Sequence, residues 1–453
     1  MKNEVSNINQ HKADNIKADN KDYTLFPWAA QETLNPIEAV NADGIYIFDN
    51  ENKKYFDFSS GLMNVNIGHK NTKVNNAIKE QLDNFAYVNP GIATKPRGDL
   101  GKKLKEIAPP NMQKTFFTSG GADSIENALI IARMVTGKSK IITRYRSYHG
   151  ASYAAATAGG DPRKLPIDRD QTPNIIHAED PYCYRCPWSQ EISSCKRECV
   201  SHIERIIQFE GPNNIAAILL EGESGSSGCI KYPPDYWEKV AAIAKKNNIL
   251  LISDEVMSGF GRCGEWFAIN KTGVEPDIIA MAKGINSGYI PLGGVMVSKD
   301  IAKFFDKNTL PSGLTYSAHS VACASAIANI DFMQEENLLE HTKELGKYLI
   351  DQIEVLKTKH KSIGDFRSTG LLGCIELVKN RETKEALVPW NATGEDLTIT
   401  NKIISKLRDL GMITFVRWNF IFIAPPLIIT KDEIDEGLSI ISEALIIADS
   451  YCS

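Results

Sequence analysis

Lys283 ends an apolar run, Ile278-Ile-Ala-Met-Ala-Lys, and Gly284 follows it. A lysine carried in at the end of a buried strand either reaches back to solvent or stays at the sheet edge. If it stays, burial disfavours the ammonium, and the free amine becomes a nucleophile toward aldehydes. Taken alone, such a lysine is more often a solvated surface group. Two acids stand in comparable places: Glu221 after the apolar run 216–220, and Asp254 after 249–253. In a parallel sheet both carboxylates would lie along the C-terminal edge, where open α/β sheets bind ligands. Either acid singly is more simply a cap or a surface charge. Ser119-Gly120-Gly121-Ala122-Asp123 falls between a strand-like run and a helical pattern. Its glycines let backbone approach a ligand, and the free N–H groups of a helix start favour an anion. A tight turn with no ligand is the commoner meaning of that motif by itself.

The combination carries more than its parts. An anion cradle, a buried acid and an apolar-flanked lysine are what is needed to hold pyridoxal phosphate: a seat for the phosphate, a counter-charge for the pyridine nitrogen and an amine for the aldehyde.

These residues need a sheet to position them. The runs 114–118, 216–220, 249–253 and 278–280 read as buried strands, and 236–247 as a helix with Val240, Ile243 and Ala244 on one face. Strand, helix and strand at this spacing make a βαβ unit, and so a parallel sheet covered on both faces. Residues 42–68 read as a small meander, with strands at 44–49 and 55–58 around the polar turn 50–53. Beyond residue 335, helices at 336–359, 397–410 and 431–449 surround strands at 371–378 and 419–423. The predicted fold class is α/β, with a mainly parallel sheet in a large lobe and a smaller α+β lobe built from both chain ends. The expected division is a flexible tail over 1–22, small-lobe residues 23–75, a large domain over 76–330 and a C-terminal small domain over 331–453.

Bulk properties narrow the partners. The chain has 453 residues, 43% apolar and 24% charged, with net charge -5. No dense Lys/Arg stripe is present, which argues against nucleic acid. No stretch approaches the ~20 apolar residues of a membrane span. The Asn- and Lys-rich start lacks the apolar core of a secretory signal, and nine cysteines suit a reducing, cytoplasmic setting. Cys183, Cys186, Cys195 and Cys199 have the spacing C-x2-C-x8-C-x3-C. Four thiolates could bind zinc, but few residues remain between the pairs to build a zinc ribbon. Reduced cysteines and no metal are the expectation.

A family resemblance covers residues 25–450. Asp254-Glu-Val-Met-Ser-Gly-Phe-Gly-Arg262 resembles the Asp-Glu-Val motif of class III aminotransferases, pyridoxal-phosphate enzymes of fold type I. Tyr148-His149-Gly150, Ala282-Lys283-Gly284 with Pro291-Leu-Gly-Gly, Gly313-Leu-Thr-Tyr-Ser-Ala-His319 and Pro425-Pro426 follow the same family in order. The resemblance implies that Lys283 bonds to the cofactor aldehyde and later moves a proton, and that Asp254 pairs with the ring nitrogen. It further implies that Tyr148 and Val256 pack on the two ring faces and that Gly120, Gly121 and Ala122 seat the phosphate. Glu221 would hydrogen-bond near the cofactor oxygen or an adjacent arginine. The family usually has Ser or Thr at the position of Ala122. Thr315 would then complete the phosphate site from a neighbouring subunit, which implies a homodimer with shared active sites, or a tetramer built from such dimers.

The substrate side departs from amine-specific relatives. Met63 stands where many of them carry Trp. Phe415 stands where an arginine can hold a substrate carboxylate, and Arg417 is the nearest alternative. Phe26-Pro-Trp28, Gly159-Gly-Asp-Pro-Arg163 and Tyr184-Arg-Cys-Pro resemble the taurine–pyruvate and ω-amino-acid branch. The implied activity is ping-pong transfer of nitrogen from an amine or ω-amino acid to a keto acid, pyruvate by preference, with Trp28, Met63 and Arg417 near the substrate. A racemase or epimerase of the same family is the alternative, and a noncatalytic ligand-binding paralogue the rival from another class.

Overall fold

The computed structural model describes residues 16–170 and 172–453. The N-terminal strands are β1 (Ala39–Asp43), β2 (Tyr46–Asp49) and β3 (Lys54–Asp57). The central ones are β4 (Met112–Thr118), β5 (Lys140–Arg144), β6 (Ile175–Ala178), β7 (Ile215–Glu221), β8 (Leu250–Asp254), β9 (Ile278–Met281) and β10 (Gly293–Ser298). After them come β11 (Ile363–Thr369), β12 (Leu372–Asn380), β13 (Glu385–Ala386), β14 (Met412–Ile413), β15 (Val416–Arg417) and β16 (Phe420–Ile423).

The central sheet has the order β4-β10-β9-β8-β7-β5-β6. All its pairings among β5 to β9 are parallel, and only β10 is reversed, pairing antiparallel with both β9 and β4. Every residue of β7 and β9 is buried. Their unbroken apolar runs are what a strand covered on both faces requires. Helix Gly121–Thr136 lies against this sheet with Ile125, Ala128, Leu129 and Ala132 buried, and it ends at Gly137 in the left-handed conformation. The predicted helix over 236–247 is observed as Tyr236–Lys246.

Both chain ends meet in a second sheet. The meander β1-β2-β3 is joined by β14, which runs parallel to β3 with Met412 beside Phe56 and Ile413 beside Asp57. A third sheet, β11-β12-β16-β15, carries the short β13 on β12. The helix Lys431–Asp449 begins with a reciprocal cap between Thr430 and Glu433.

Strand β1 was not anticipated, because Ala39–Asp43 is largely exposed and lacks an apolar alternation. Of the tail expected to be flexible over 1–22, residues 1–15 lie outside the described residues. Ile16–Tyr23 forms a helix with no buried residue, followed by Thr24 Oγ1 donating to the Asn20 carbonyl at 2.6 Å. Among the described residues, no helix is long and apolar enough to cross a membrane.

Candidate active site

Parallel register places the two acids side by side. β7 and β8 pair Leu220 with Ser253 and Glu221 with Asp254, so each acid is the last residue of its strand rather than the first beyond it. Successive side chains then diverge. Asp254 lines a cavity of about 640 Å³, whereas Glu255 is fully buried away from solvent. Glu255 accepts the backbone N–H groups of Ala268 and Ile269, each at 2.9 Å, and the Ser253 hydroxyl at 3.1 Å. Burial pushes its carboxyl up to about 7 against those hydrogen bonds. Glu255 therefore anchors the turn after β8, and Asp254 is left to serve the cavity.

Asp254 is fixed by a partner that sequence reasoning did not assign. His149, itself buried, has Nδ1 2.7 Å from Asp254 Oδ2, and its Nε2 lies 3.3 Å from Thr143 Oγ1. A carboxylate only accepts, so Nδ1 carries the proton. The other Asp254 oxygen accepts the Val256 N–H at 3.0 Å.

Lys283 follows β9 in a short 3-10 turn with φ of 46°, a left-handed conformation uncommon outside glycine. It is half-buried in the same cavity wall. Burial pushes its ammonium down to about 8, with the charges of Asp254 and Glu221 working in the opposite direction. Strain and a depressed amine pKa at a cavity wall are properties of reactive lysines.

Glu221 is tied to the buried Arg144, whose Nη2 lies 3.1 Å from Glu221 Oε2 and whose Nη1 lies 3.4 Å from Asp180 Oδ1. Burial pushes Glu221 up to about 7 and Asp180 up to about 6, with Arg144 opposing both shifts. Of the alternatives implied for Glu221, the structure shows the adjacent arginine.

The phosphate-loop residues divide. Gly121 and Ala122 open the helix and line the cavity. Gly120 precedes them in extended conformation and is not part of the cavity wall. The loop is fastened by Ser124 Oγ, which donates to the Gly120 carbonyl at 2.9 Å and also lies 3.1 Å from the Met281 carbonyl. A Cβ on Gly121 would fall 2.8 Å from Val256 Cγ1, so this close approach requires glycine. First-turn N–H groups facing a cavity suit a phosphate.

Tyr148, Val256, Trp28, Met63 and Arg417 also line the cavity. Met63 is positioned by its loop: both Asp57 oxygens accept the Gly61 N–H, and buried Arg262 donates to Ser60 Oγ at 2.9 Å and to Asn66 Oδ1 at 2.8 Å. Arg262 also donates to the Leu371 and Pro425 carbonyls, joining the Asp254–Arg262 motif to both chain ends. Thr315 is not in its own chain's cavity; it is exposed, and its carbonyl accepts the Tyr87 hydroxyl at 2.8 Å.

Arg417, on β15, and Phe415, just before that strand and two residues away, both line the cavity. Arg417 does not act alone. Arg163, unassigned in the sequence reading, lines the same wall with its guanidinium 3.7 Å from the Tyr148 ring centroid and 5.7 Å from that of Trp28. Both arginines hold the buried Asp161. Glu223 lines the cavity too, accepting the Thr369 hydroxyl at 3.2 Å, with its carboxyl raised by burial. The motifs containing His149, Asp161 and Arg163 were visible as strings, but their convergence with strands elsewhere was not.

The four clustered cysteines line a separate cavity of about 20 Å³. Cys195 Sγ accepts from Arg197 at 2.8 Å, and burial pushes the Cys199 thiol up to about 12. Among the described residues, no group of three or more His, Cys, Asp or Glu side chains is placed to hold a metal.

Comparison with known proteins places this geometry in context. The profile of the family described as aminotransferase class-III matches residues 28–445. A leucine/methionine racemase of Thermococcus litoralis is 35% identical over 428 residues, covering 93% of each chain. A putrescine–pyruvate aminotransferase of Pseudomonas aeruginosa is 31% identical, covering 97% of this chain and 98% of the relative. The crystal structure of a taurine:2-oxoglutarate aminotransferase from Bifidobacterium kashiwanohense, in complex with PLP and glutamate, superposes with a TM-score of 0.93 at 39% identity. It covers 97% of this chain and 98% of its own.

Proposed function

The chain belongs to the class III aminotransferases, and from that premise we propose that its amino donor is an amine bearing a distant acidic group, of the taurine or β-alanine type, and its acceptor pyruvate. Pyridoxal phosphate is the cofactor, and when bound it supplies an aldehyde carbon and an electron-accepting ring. The residues present fit it. Lys283 offers an amine already pushed toward the neutral form; it would hold the cofactor through its aldehyde and, when free, would move a proton at the reacting carbon. Asp254, oriented by His149, would hold a proton on the ring nitrogen. Gly121 and Ala122, at the start of their helix on the cavity wall, would seat the phosphate with backbone N–H groups. Tyr148 and Val256, both on the cavity wall, would pack on the ring faces, and Glu221 is oriented by Arg144. In a ping-pong cycle the enzyme keeps the donor's nitrogen and then gives it to the keto acid.

The observation that carries the donor reading is the arginine pair. Arg163 and Arg417 present guanidinium groups at one wall of the cavity that holds Lys283 and Asp254. Guanidinium groups suit sulfonate and carboxylate oxygens. Arg417→Ala and Arg163→Ala should each lower kcat/KM for taurine-type and β-alanine-type donors far more than for propylamine. A hydrogen bond to a charged group contributes about 1.5–3 kcal/mol, or roughly tenfold to a hundredfold in kcat/KM. Equal losses for charged and uncharged donors would remove the reading. Pyruvate should be run against 2-oxoglutarate, the acceptor in the taurine neighbour's name.

The racemase relative favours a second reading, proton exchange at a carbon with no net nitrogen transfer. Accumulation of a new amino acid that depends on keto acid separates the two.

The proposed assembly is a homodimer, with Thr315 of each copy completing the phosphate seat of the other. Ala122 supplies no hydroxyl to that seat, and Thr315 lies exposed outside its own cavity. Beside it, the exposed Tyr316 ring stands 6.2 Å from that of Tyr87, an apolar surface suited to burial against a partner.

A further inference from the structure

Arg163 and Arg417 are joined through one carboxylate. Asp161 accepts Arg163 Nε at 2.9 Å and Nη2 at 3.2 Å; it also accepts both terminal nitrogens of Arg417, Nη2 at 3.0 Å. The Asp161 side chain is 2% exposed, whereas those of Arg163 and Arg417 are 23% and 16% exposed. The cations thus face the cavity while their shared anion lies behind them. Burial by itself would raise the Asp161 carboxyl; the hydrogen bonds and charges of the two arginines outweigh it and hold that carboxyl below its ordinary range.

The loop fixes Asp161 firmly. The backbone N–H groups of Gly160 and Asp161 both reach the Ser147 carbonyl at 3.1 Å. A Cβ on Gly160 would fall 2.0 Å from the Tyr145 carbonyl oxygen, so only glycine allows this approach. The Arg163 N–H donates back to Asp161 Oδ1 at 2.9 Å.

Of five N–H donors on each guanidinium, two are spent on Asp161. Arg163 Nη2 also lies 3.4 Å from Ser226 Oγ. Donors remain on both groups for a ligand, and two positive charges less one negative leave a net charge of +1.

We propose that Asp161 is a positioning residue that sets charge selectivity at the acid-binding wall, holding both guanidinium groups together and cancelling one charge so that a monoanionic tail is preferred over a dianionic one. This rests on the reading of Arg163 and Arg417 as donor-binding groups. A sulfonate or carboxylate matches +1; a phosphonate brings excess charge that neither arginine can neutralise.

The test uses holoenzyme with three donors of similar length, 2-aminoethanesulfonate, 3-aminopropanoate and 2-aminoethylphosphonate, and with propylamine as each variant's own denominator. Wild type should favour the sulfonate and carboxylate. Asp161→Asn leaves the wall at +2, and the phosphonate-to-sulfonate ratio of kcat/KM should rise about tenfold, a change of roughly 1.4 kcal/mol, carried mainly by KM. Arg163→Gln with Asp161→Asn restores +1, and the ratio should fall back toward wild type. If Asp161→Asn does not fold, Arg163→Gln at zero charge is compared with wild type at +1, and its phosphonate-to-sulfonate ratio should fall about tenfold. A phosphonate-to-sulfonate ratio that stays within about twofold across the charge series, in an enzyme whose wild type prefers acidic donors, overturns the role of Asp161 alone. A wild type with no preference for acidic donors over propylamine overturns the arginine reading, and this inference with it.

Discussion

An amine attacks an aldehyde only when it is uncharged, so the state of Lys283 bears directly on how the enzyme takes up its cofactor. Burial pushes that ammonium down to about 8. The rate at which apoenzyme captures pyridoxal phosphate should therefore rise with pH through a midpoint near 8 rather than near the ordinary 10.5 of a lysine. Stability follows the same group. Between about 8 and 10.5 the unfolded chain binds a proton at Lys283 that the folded chain does not, so this contribution to apoenzyme stability rises with pH across that window. Lys283→Met should flatten that rise when denaturation midpoints are compared from pH 8 to 10; an identical slope would show that Lys283 is not desolvated in solution. Asp254→Asn should still retain cofactor but lose at least tenfold in turnover, about 1.4 kcal/mol of barrier, because a neutral amide cannot hold a proton on a ring nitrogen. Asp254 and Glu221 were legible in the sequence because each ends an apolar strand, and Lys283 because it closes the apolar run that continues β9. His149 and Asp161 were not, because they sit on loops without periodicity, and Arg163 was not, because it sits in a 3-10 turn with no apolar pattern. Asp161 meets Arg417 across 256 residues of chain, a contact that only tertiary packing creates.

Elements explain why some of the site could be read and some could not. β7 and β8 are uninterrupted apolar runs, and their parallel register alone brings Glu221 beside Asp254. β1 is mostly exposed, and β15 is two residues long, so neither has a pattern a reader could detect. β15 matters because it carries Arg417 to the cavity that Phe415, just before the strand, also lines. The start of helix Gly121–Thr136 depends on a close approach to the turn after β8, where a Cβ on Gly121 would crowd Val256. Gly121→Ala should weaken cofactor binding about tenfold or more, on the scale of the 1–3 kcal/mol that overpacking costs. Adding Val256→Ala should recover part of that loss. Titration of apoenzyme with pyridoxal phosphate measures both, and a Gly121→Ala variant with unaltered affinity would mean that the loop yields without cost.

At the scale of the whole molecule, both chain ends converge on the cavity from the second and third sheets, with Arg262 bonded to each. The proposed dimer adds the last part of the site. Lys283→Ala and Thr315→Ala subunits, dissociated and reassociated together, should regain activity, because mixed dimers would contain one site with both lesions and one with neither. If Thr315 served its own chain, every site in the mixture would keep a lesion. Activity that stays at the level of the parents after confirmed subunit exchange would contradict the shared site.

The most direct test of the donor assignment is a single half-reaction. Holoenzyme is mixed with nitrogen-15-labelled 2-aminoethanesulfonate or 3-aminopropanoate and no keto acid, and the aldehyde released per active site is counted before pyruvate is added. One aldehyde per site is expected, with label retained by the enzyme and labelled alanine appearing only after pyruvate, and with Arg417→Ala slowing the first step. Exchange of substrate protons with solvent and no aldehyde, or aldehyde formed equally well from propylamine, would contradict it.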